Sequence, residues 1–252
     1  MPNILDGIRV VDLTSVVLGP FATMMLADLG AEVIKVENID GDMMRSAKPA
    51  RSDGMGAVFL NSNRGKQSIA LNLKDQDAHR ILLDLVATAD VFVHSMRPKA
   101  IGSLDLGYET ISGINPSIIY CAAWGFDQDG PLADAPAYDD IIQGASGIAA
   151  LNAGADGAPR YLPSIVADKV TGLFAANAIL AGLYHRRATG EGQLIEVPML
   201  ECLSSFVLLE HMSGAVFDPP EGPTGYARML AKSRRPYACL LYTSDAADEL
   251  LG

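Results

Sequence analysis

Ile8-Arg-Val-Val-Asp-Leu-Thr-Ser-Val-Val-Leu-Gly-Pro-Phe-Ala-Thr-Met-Met-Leu-Ala-Asp-Leu-Gly-Ala-Glu-Val-Ile-Lys-Val-Glu37 carries two strand signals around one helix signal. Ile8 to Leu13 is short and mostly apolar, as a buried strand requires. Gly19-Pro20 then opens a helix, because the fixed φ of proline and its missing N–H suit a first turn. The helix runs from Phe21 to Leu29 and stops at Gly30, and Glu32 to Glu37 follows as a second strand. Strand, helix and strand in this order favour a right-handed crossover and parallel pairing.

The alternation continues downstream. Asp40 to Gly56 is polar and reads as an exposed loop. Ser68 to Leu71 is a strand, Asp75 to Thr88 an amphipathic helix, and Val91 to His94 and Ser117 to Ala123 are further strands. This order predicts an α/β fold, a doubly wound, Rossmann-like sheet with helices on both faces. Ligands of such sheets gather outside the carboxyl ends of the strands. The usual cradles are missing there. Leu13-Thr-Ser-Val-Val-Leu-Gly19 stands where a dinucleotide site would have G-x-G-x-x-G. Arg64-Gly65-Lys66 lacks the earlier glycine of a P-loop, and no G-x-S-x-G elbow occurs.

Composition narrows the class. The chain has 252 residues, 49% of them hydrophobic, enough for a substantial core. No apolar run reaches the roughly 20 residues that cross a bilayer. The N-terminus lacks a signal-peptide pattern, so a cytoplasmic location is expected. Cys121, Cys202 and Cys239 have no metal-ligand spacing, the four histidines are scattered, and no metal site is expected. A net charge of −11 disfavours nucleic acid or an anionic membrane as partner. Cys239-Leu-Leu-Tyr-Thr-Ser-Asp-Ala-Ala-Asp-Glu249 matches the translation of a transposase-type DNA-sequencing adapter, so residues 239–252 are expected to be non-native.

One acid stands out in an apolar helix, within Pro163-Ser-Ile-Val-Ala-Asp168-Lys-Val-Thr-Gly-Leu-Phe-Ala-Ala-Asn-Ala-Ile-Leu-Ala-Gly-Leu-Tyr184. Burying an unpaired carboxylate costs several kcal/mol. Asp168 is therefore either a cap, satisfied by free backbone N–H groups at the helix start, or a reactive group.

Leu5-Asp-Gly-Ile-Arg-Val-Val-Asp-Leu-Thr14, Gly19-Pro20, Leu26-Ala-Asp-Leu-Gly-Ala-Glu-Val-Ile-Lys-Val-Glu37, Asn61-Ser-Asn-Arg-Gly-Lys66, Thr189-Gly-Glu-Gly-Gln193 and the Asp168 helix together resemble the class III coenzyme A transferases. That family includes formyl-CoA transferase, carnitine CoA-transferase and α-methylacyl-CoA racemase. The resemblance runs in order from about Leu5 to Ala238. It implies a transferase in which Asp168 is the nucleophile, taking CoA from an acyl-CoA through an aspartyl-CoA thioester and passing it to a small carboxylic acid. The CoA thioester is then a substrate, with no tightly bound cofactor. Ser164 and Thr171 could orient the carboxylate or cap the helix.

In the racemase branch the same aspartate is a base paired with a histidine. Here Tyr138, in Pro136-Ala-Tyr138-Asp139-Asp140, takes the histidine's place, and a phenol with pKa near 10 suits two-base proton exchange poorly. Carried over by position, the CoA contacts are Val16, Val17, Asn38, Leu71, Asn72, Lys74, Ser95, Met96 and Arg97, with Tyr138 lining the pocket. Four departures stand out: Asn38 for an arginine, Ser95-Met96 for Asn-Phe, Pro136 for a lysine and Val17 for the glutamine of formyl-CoA transferases. They argue against formate and oxalate as substrates. Lys74, Arg97 and Lys99 are candidates for phosphate contacts, Asp12 and Glu37 for ion pairs, and Trp124 and Phe126 for packing. The resemblance further implies an interlocked homodimer of the full-length protein. Residues 1–200 would be its large CoA-binding domain. Residues 201–238, with a helix from Leu200 to Met212 and a linker at Asp218 to Pro223, would lead to a small second domain that is largely missing.

Overall fold

The structure, a computed structural model, describes residues 3–153 and 157–235. The adapter-like tail lies outside them. Six strands form one parallel sheet: β1 (Arg9–Leu13), β2 (Glu32–Glu37), β3 (Gln67–Ala70), β4 (Val91–His94), β5 (Ile119–Trp124) and β6 (Gln193–Pro198). Their spatial order is β3-β2-β1-β4-β5-β6, and every neighbouring pair is parallel. The order reverses direction between β1 and β4, and the loops after those two strands flank the crevice that such a reversal opens.

Side chains alternate across this sheet with the period of two that a strand imposes. Val10, Val91, Val93, Ile119 and Cys121 point to one face, where α1 (Leu18–Asp28) and α8 (Val166–Thr189) cover them with Ala22, Leu26, Ala175, Ile179 and Leu183. Val11, Leu13, Phe92, Tyr120 and Ala122 point to the other face. There α3 (Gln76–Ala87), α4 (Pro98–Ser103) and α5 (Tyr108–Ile114) supply Leu82, Val86, Ile101 and Ile111. The expected doubly wound sheet is thus present.

Helix α8 is the central element of its face. At Gly172 a Cβ would stand 2.8 Å from the Leu18 carbonyl oxygen, so only glycine lets α1 come this close. Among the described residues α8 is also the one helix long and apolar enough to cross a membrane, which the run-length reading of the sequence did not register. About half of that apolar stretch is buried, against the sheet and α1, while Leu173, Phe174 and Tyr184 are exposed. Arg186 near its C-terminus pairs with Asp90, just before β4, at 2.7 Å. After β6, α9 (Met199–His211) buries Met199, Leu203 and Val207 in a cluster with Ile142, Ala167 and Val170.

The segment from Asp40 to Gly56 differs from the exposed loop read from its polarity. It contains a short 3₁₀ turn, Met43–Arg45, and Asp42 is buried. Two of its charged groups, Asp42 and Arg45, turn inward because each has a partner, while Asp40, Lys48, Arg51 and Asp53 stay exposed. Arg45 donates to Glu37 Oε2 at 2.7 Å and lies 3.9 Å from the ring centre of Phe59 on α2 (Ala57–Asn63), and Asp42 pairs with Lys35. Polarity marks a loop, and it does not distinguish charges turned to water from charges turned to each other.

Candidate active site at the strand C-termini

Asp168 is the third residue of α8, where an acid usually serves the free N–H groups of the first turn. Another side chain has taken that task. Asp139, the first residue of α6 (Asp139–Ala145), accepts through Oδ1 from the backbone N–H groups of Ala167 (2.8 Å) and Asp168 (3.2 Å). Its Oδ2 accepts from Gln143 Nε2 at 2.6 Å. Gln143 is buried and binds the strand-like approach to α8, donating to the Ser164 carbonyl (3.1 Å) and accepting from the Leu162 N–H (2.9 Å). The start of α8 is therefore clamped from α6, and the capping explanation for Asp168 falls away.

No hydrogen bond reaches the Asp168 carboxyl among the described residues. Burial, and then the negative charge of Asp139, push its pKa up to about 7. The two side chains that could have oriented it are engaged elsewhere. Ser164 Oγ accepts from Lys169 Nζ at 2.5 Å, and Thr171 donates to the Ala167 carbonyl at 2.7 Å.

Two cavities open at this end of the sheet. The inner one, about 310 Å³, holds Asp168 with Asp139, Tyr138, Val16, Ser95 and Arg97 against a wall of Trp124, Met199 and small alanines. The outer one, about 410 Å³, is lined by Asn38, Leu71, Asn72, Lys74 and Met96 among others. Ser15 and Met43 line both. The candidate contacts thus fall into two groups, Arg97 in the cavity that holds the acid and Lys74 in the outer cavity. Val17 joins neither group. It is buried at the start of α1, where its carbonyl accepts from the Phe21 N–H at 2.8 Å, and it lines neither cavity. Lys99 is also outside both, paired with Asp134 at 2.8 Å.

The turn between β1 and α1 explains why no glycine cradle is needed. In a dinucleotide fold its N–H groups would be free for phosphate. Here side chains from three places take three successive ones: Thr14 N–H donates to Asp12 (2.9 Å), Ser15 N–H to Ser95 Oγ (3.2 Å) and Val16 N–H to both oxygens of Asp42 (3.4 and 3.3 Å). Val16 has a φ of 70°, the left-handed region that a β-branched residue avoids at a cost of about 1–3 kcal/mol.

Buried charges underlie the turn. Lys35 Nζ donates to the Thr14 carbonyl (2.8 Å) and pairs with Asp42 (3.0 Å), and Lys66 pairs with Asp12 (3.1 Å). Burial alone would raise the Asp12 carboxyl, but Lys66 and Lys35, with hydrogen bonds from Thr14 and Thr23, hold it at about 2. Burial likewise opposes ionisation of Glu37, and Arg45, Ser68 and the Asp42 N–H hold it at about 2. Asp12 and Glu37 are thus ion-paired, as expected.

On the far side of the crevice His94 is fully buried, and burial lowers its pKa to about 4. The Met96 N–H donates to His94 Nδ1 at 3.2 Å, so the ring is neutral and carries its proton on Nε2, toward Tyr120 (3.0 Å). Trp124 Nε1 donates to the Met96 carbonyl at 3.2 Å. Met96 is held from both sides. Sequence reading gives His94, Gln143 and Asp139 no such roles, because the partners that define them, Tyr120, Ser164 and the start of α8, lie 21 to 29 residues along the chain.

The family model for CoA-transferase family III matches residues 5–240. Similar proteins include succinyl-CoA:glutarate CoA-transferase of Mus musculus, 45% identical over 78% of this chain and 45% of its own length. Succinate–glutarate CoA-transferase of Agrobacterium fabrum is 39% identical over 87% of this chain and 58% of its own length. Acetyl-CoA:oxalate CoA-transferase of Acetobacter aceti is 39% identical over 97% and 61%. Among solved structures, a CAIB/BAIF family protein from Brucella suis superposes with a TM-score of 0.82 at 35% identity, covering 90% of this chain and 61% of the other. The chain spans about half the length of the curated relatives it matches.

Proposed function

Because this chain belongs to CoA-transferase family III, we propose that it carries the nucleophile of an acyl-CoA:carboxylate CoA-transferase, with Asp168 in that role. One observation carries the proposal: a carboxylate with no hydrogen bond on it, its capping duty taken by Asp139, lines a cavity that meets a second one at Ser15 and Met43. The acyl group fits the inner cavity and the CoA moiety the outer.

The reaction needs no outside reductant or water. An Asp168 oxygen attacks the thioester carbonyl, the C–S bond breaks, and CoA leaves as the thiolate from a mixed anhydride. The thiolate then attacks the Asp168 carbonyl carbon, releasing the donor acid as a carboxylate and leaving an aspartyl-CoA thioester. An acceptor carboxylate attacks that thioester, expels the thiolate and forms a second anhydride. The thiolate takes the new acyl group and frees Asp168. Each intermediate is open to hydrolysis, which the apolar wall of Ala123, Ala135, Ala137 and Met199 opposes.

The proton-exchange reading needs a second base across from Asp168. Tyr138, at that histidine's place in the sequence, lines the same cavity as Asp168, and among the described residues no histidine lines it. Relatives named for succinyl-CoA with glutarate or mesaconate support a dicarboxylic acid as donor or acceptor, and the relative named for oxalate keeps that acid in the test panel. A homodimer of the whole protein belongs to the same reading, supported by the exposed Phe206 and Leu209 on α9.

Mass spectrometry of the chain quenched after incubation with succinyl-CoA tests the chemistry. A CoA adduct on the peptide containing Asp168, discharged by glutarate and absent in Asp168→Ala, is expected. A wild-type chain that forms no adduct, or an adduct that persists in the variant, refutes the nucleophile.

A further inference from the structure

The turn after β1 reaches both cavities, and its strained residue is Val16. Nothing in a valine side chain favours a φ of 70°, so the conformation must be held from outside. The candidates to hold it are few. Thr14 is fixed by Asp12 and Lys35, and Ser15 by Ser95. Among the described residues the Val16 N–H is met by Asp42, whose two oxygens share it. Asp42 comes from the loop after β2 and is not free to move. Its Oδ2 lies 3.0 Å from the buried Lys35 ammonium, its Oδ1 accepts from the Met44 N–H at 2.9 Å, and its own N–H donates to Glu37 at 2.8 Å. Asp42 lines the outer cavity and Val16 the inner one, so the contact between them crosses from one to the other.

We propose that Asp42 is a positioning residue for the reaction at Asp168: gripped by Lys35, it holds the Val16 backbone in its left-handed conformation and so fixes that wall of the inner cavity. The physical reason is the sensitivity of an attack at a carbonyl to placement, since a shift of about 1 Å in the reacting groups costs on the order of 100-fold in rate. A wall residue in a conformation that its own side chain disfavours would relax without its restraint. The cavity would keep its contents and lose its register.

The proposal rests on the transferase reading for its kinetic readout and on geometry alone for its second readout. The variant of choice is the pair Lys35→Met with Asp42→Ala, which leaves neither buried charge alone. Its rate of Asp168 adduct formation at saturating succinyl-CoA is expected to fall about tenfold, with KM within about threefold of wild type. Adding Val16→Gly should restore most of that loss, because glycine adopts a positive φ without a restraint. Each rate is compared with that of Val16→Gly alone. A rise in KM at unchanged limiting rate, or a triple variant as slow as the pair, overturns the proposal. Should the pair fail to fold, Asp42→Asn keeps the volume and the buried packing, and the same suppression by Val16→Gly is expected on a smaller loss. Amide hydrogen exchange at Val16 separates the two readings. If wild type forms no adduct, the transferase reading is refuted, and positioning by Asp42 still requires exchange at Val16 to speed up about tenfold in the pair. Unchanged exchange refutes it.

Discussion

A buried carboxyl group that no donor touches among the described residues holds its proton to higher pH than a free one, and at Asp168 that means up to about pH 7. Only the ionised form attacks a thioester. The rate of adduct formation should therefore rise with pH through a midpoint near 7 and level off above it. Asp139→Asn keeps an oxygen to accept from Ala167 and Asp168 while removing the negative charge, so the midpoint is expected to fall by about one pH unit. A pH–rate profile of the variant that keeps the wild-type midpoint would contradict this account. The same raised pKa has a stability cost with a definite sign. The unfolded chain loses this proton near pH 4 and the folded chain near 7, so the folded state binds the extra proton in between and loses stability as pH rises through that window. Asp168→Asn should thus be more stable than wild type by roughly 1–3 kcal/mol at about pH 8, with the difference vanishing near pH 4, as read by urea denaturation.

At the scale of elements, α8 decides where Asp168 sits, and three contacts place α8. Asp139 holds its start, Arg186 with Asp90 holds its end, and Gly172 lets its middle touch α1. Gly172→Ala gains helix propensity of about 1 kcal/mol but forces a methyl group to 2.8 Å from a backbone oxygen that cannot swing away. A net loss of about 1–2 kcal/mol is expected in urea denaturation, together with slower Asp168 labelling as α8 shifts. The local parts of this arrangement were legible in the sequence. β1, α1 and β2 follow from an apolar strand, a proline, a glycine stop and a second strand, all of which act within a few residues. β6 was not legible. It is an edge strand with Leu194 exposed and Glu196 in its middle, and its residues lack the apolar run that marks a buried strand. The clamp on α8 was not legible either, since Asp139 and its N–H donors are 28 and 29 residues apart and neither end carries a local signal. Asp168 itself could be singled out because a charge in an apolar helix is conspicuous. What relieved it of capping could not.

For the whole molecule, the loops after β1, β2, β3, β4 and β5 gather at the crevice where strand order reverses between β1 and β4, and the crevice is divided in two by the turn at Ser15 and by Met43. Such a division lets binding of a remote part of the substrate serve chemistry at another part. In the proposed reaction the CoA moiety would make contacts in the outer cavity that do not change as the thioester reacts, and those contacts would hold the carbonyl in register with Asp168. Shortening the substrate should then cost rate as well as affinity. A succinyl thioester of pantetheine, which lacks the nucleotide end, is expected to label Asp168 at least about 100-fold more slowly at saturation than succinyl-CoA. Lys74 lines the outer cavity, where in the same proposal it would meet a phosphate of CoA and offset repulsion by a protein whose net charge is −11. Lys74→Ala should raise KM for succinyl-CoA about 5–10-fold, with the difference from wild type shrinking as salt is added, and should leave the pantetheine thioester unaffected. Equal effects on both thioesters would mean that Lys74 acts on the fold and not on the nucleotide end. Equal limiting rates for the two thioesters would mean that the outer cavity only binds, and that the register of the carbonyl is set within the inner cavity alone.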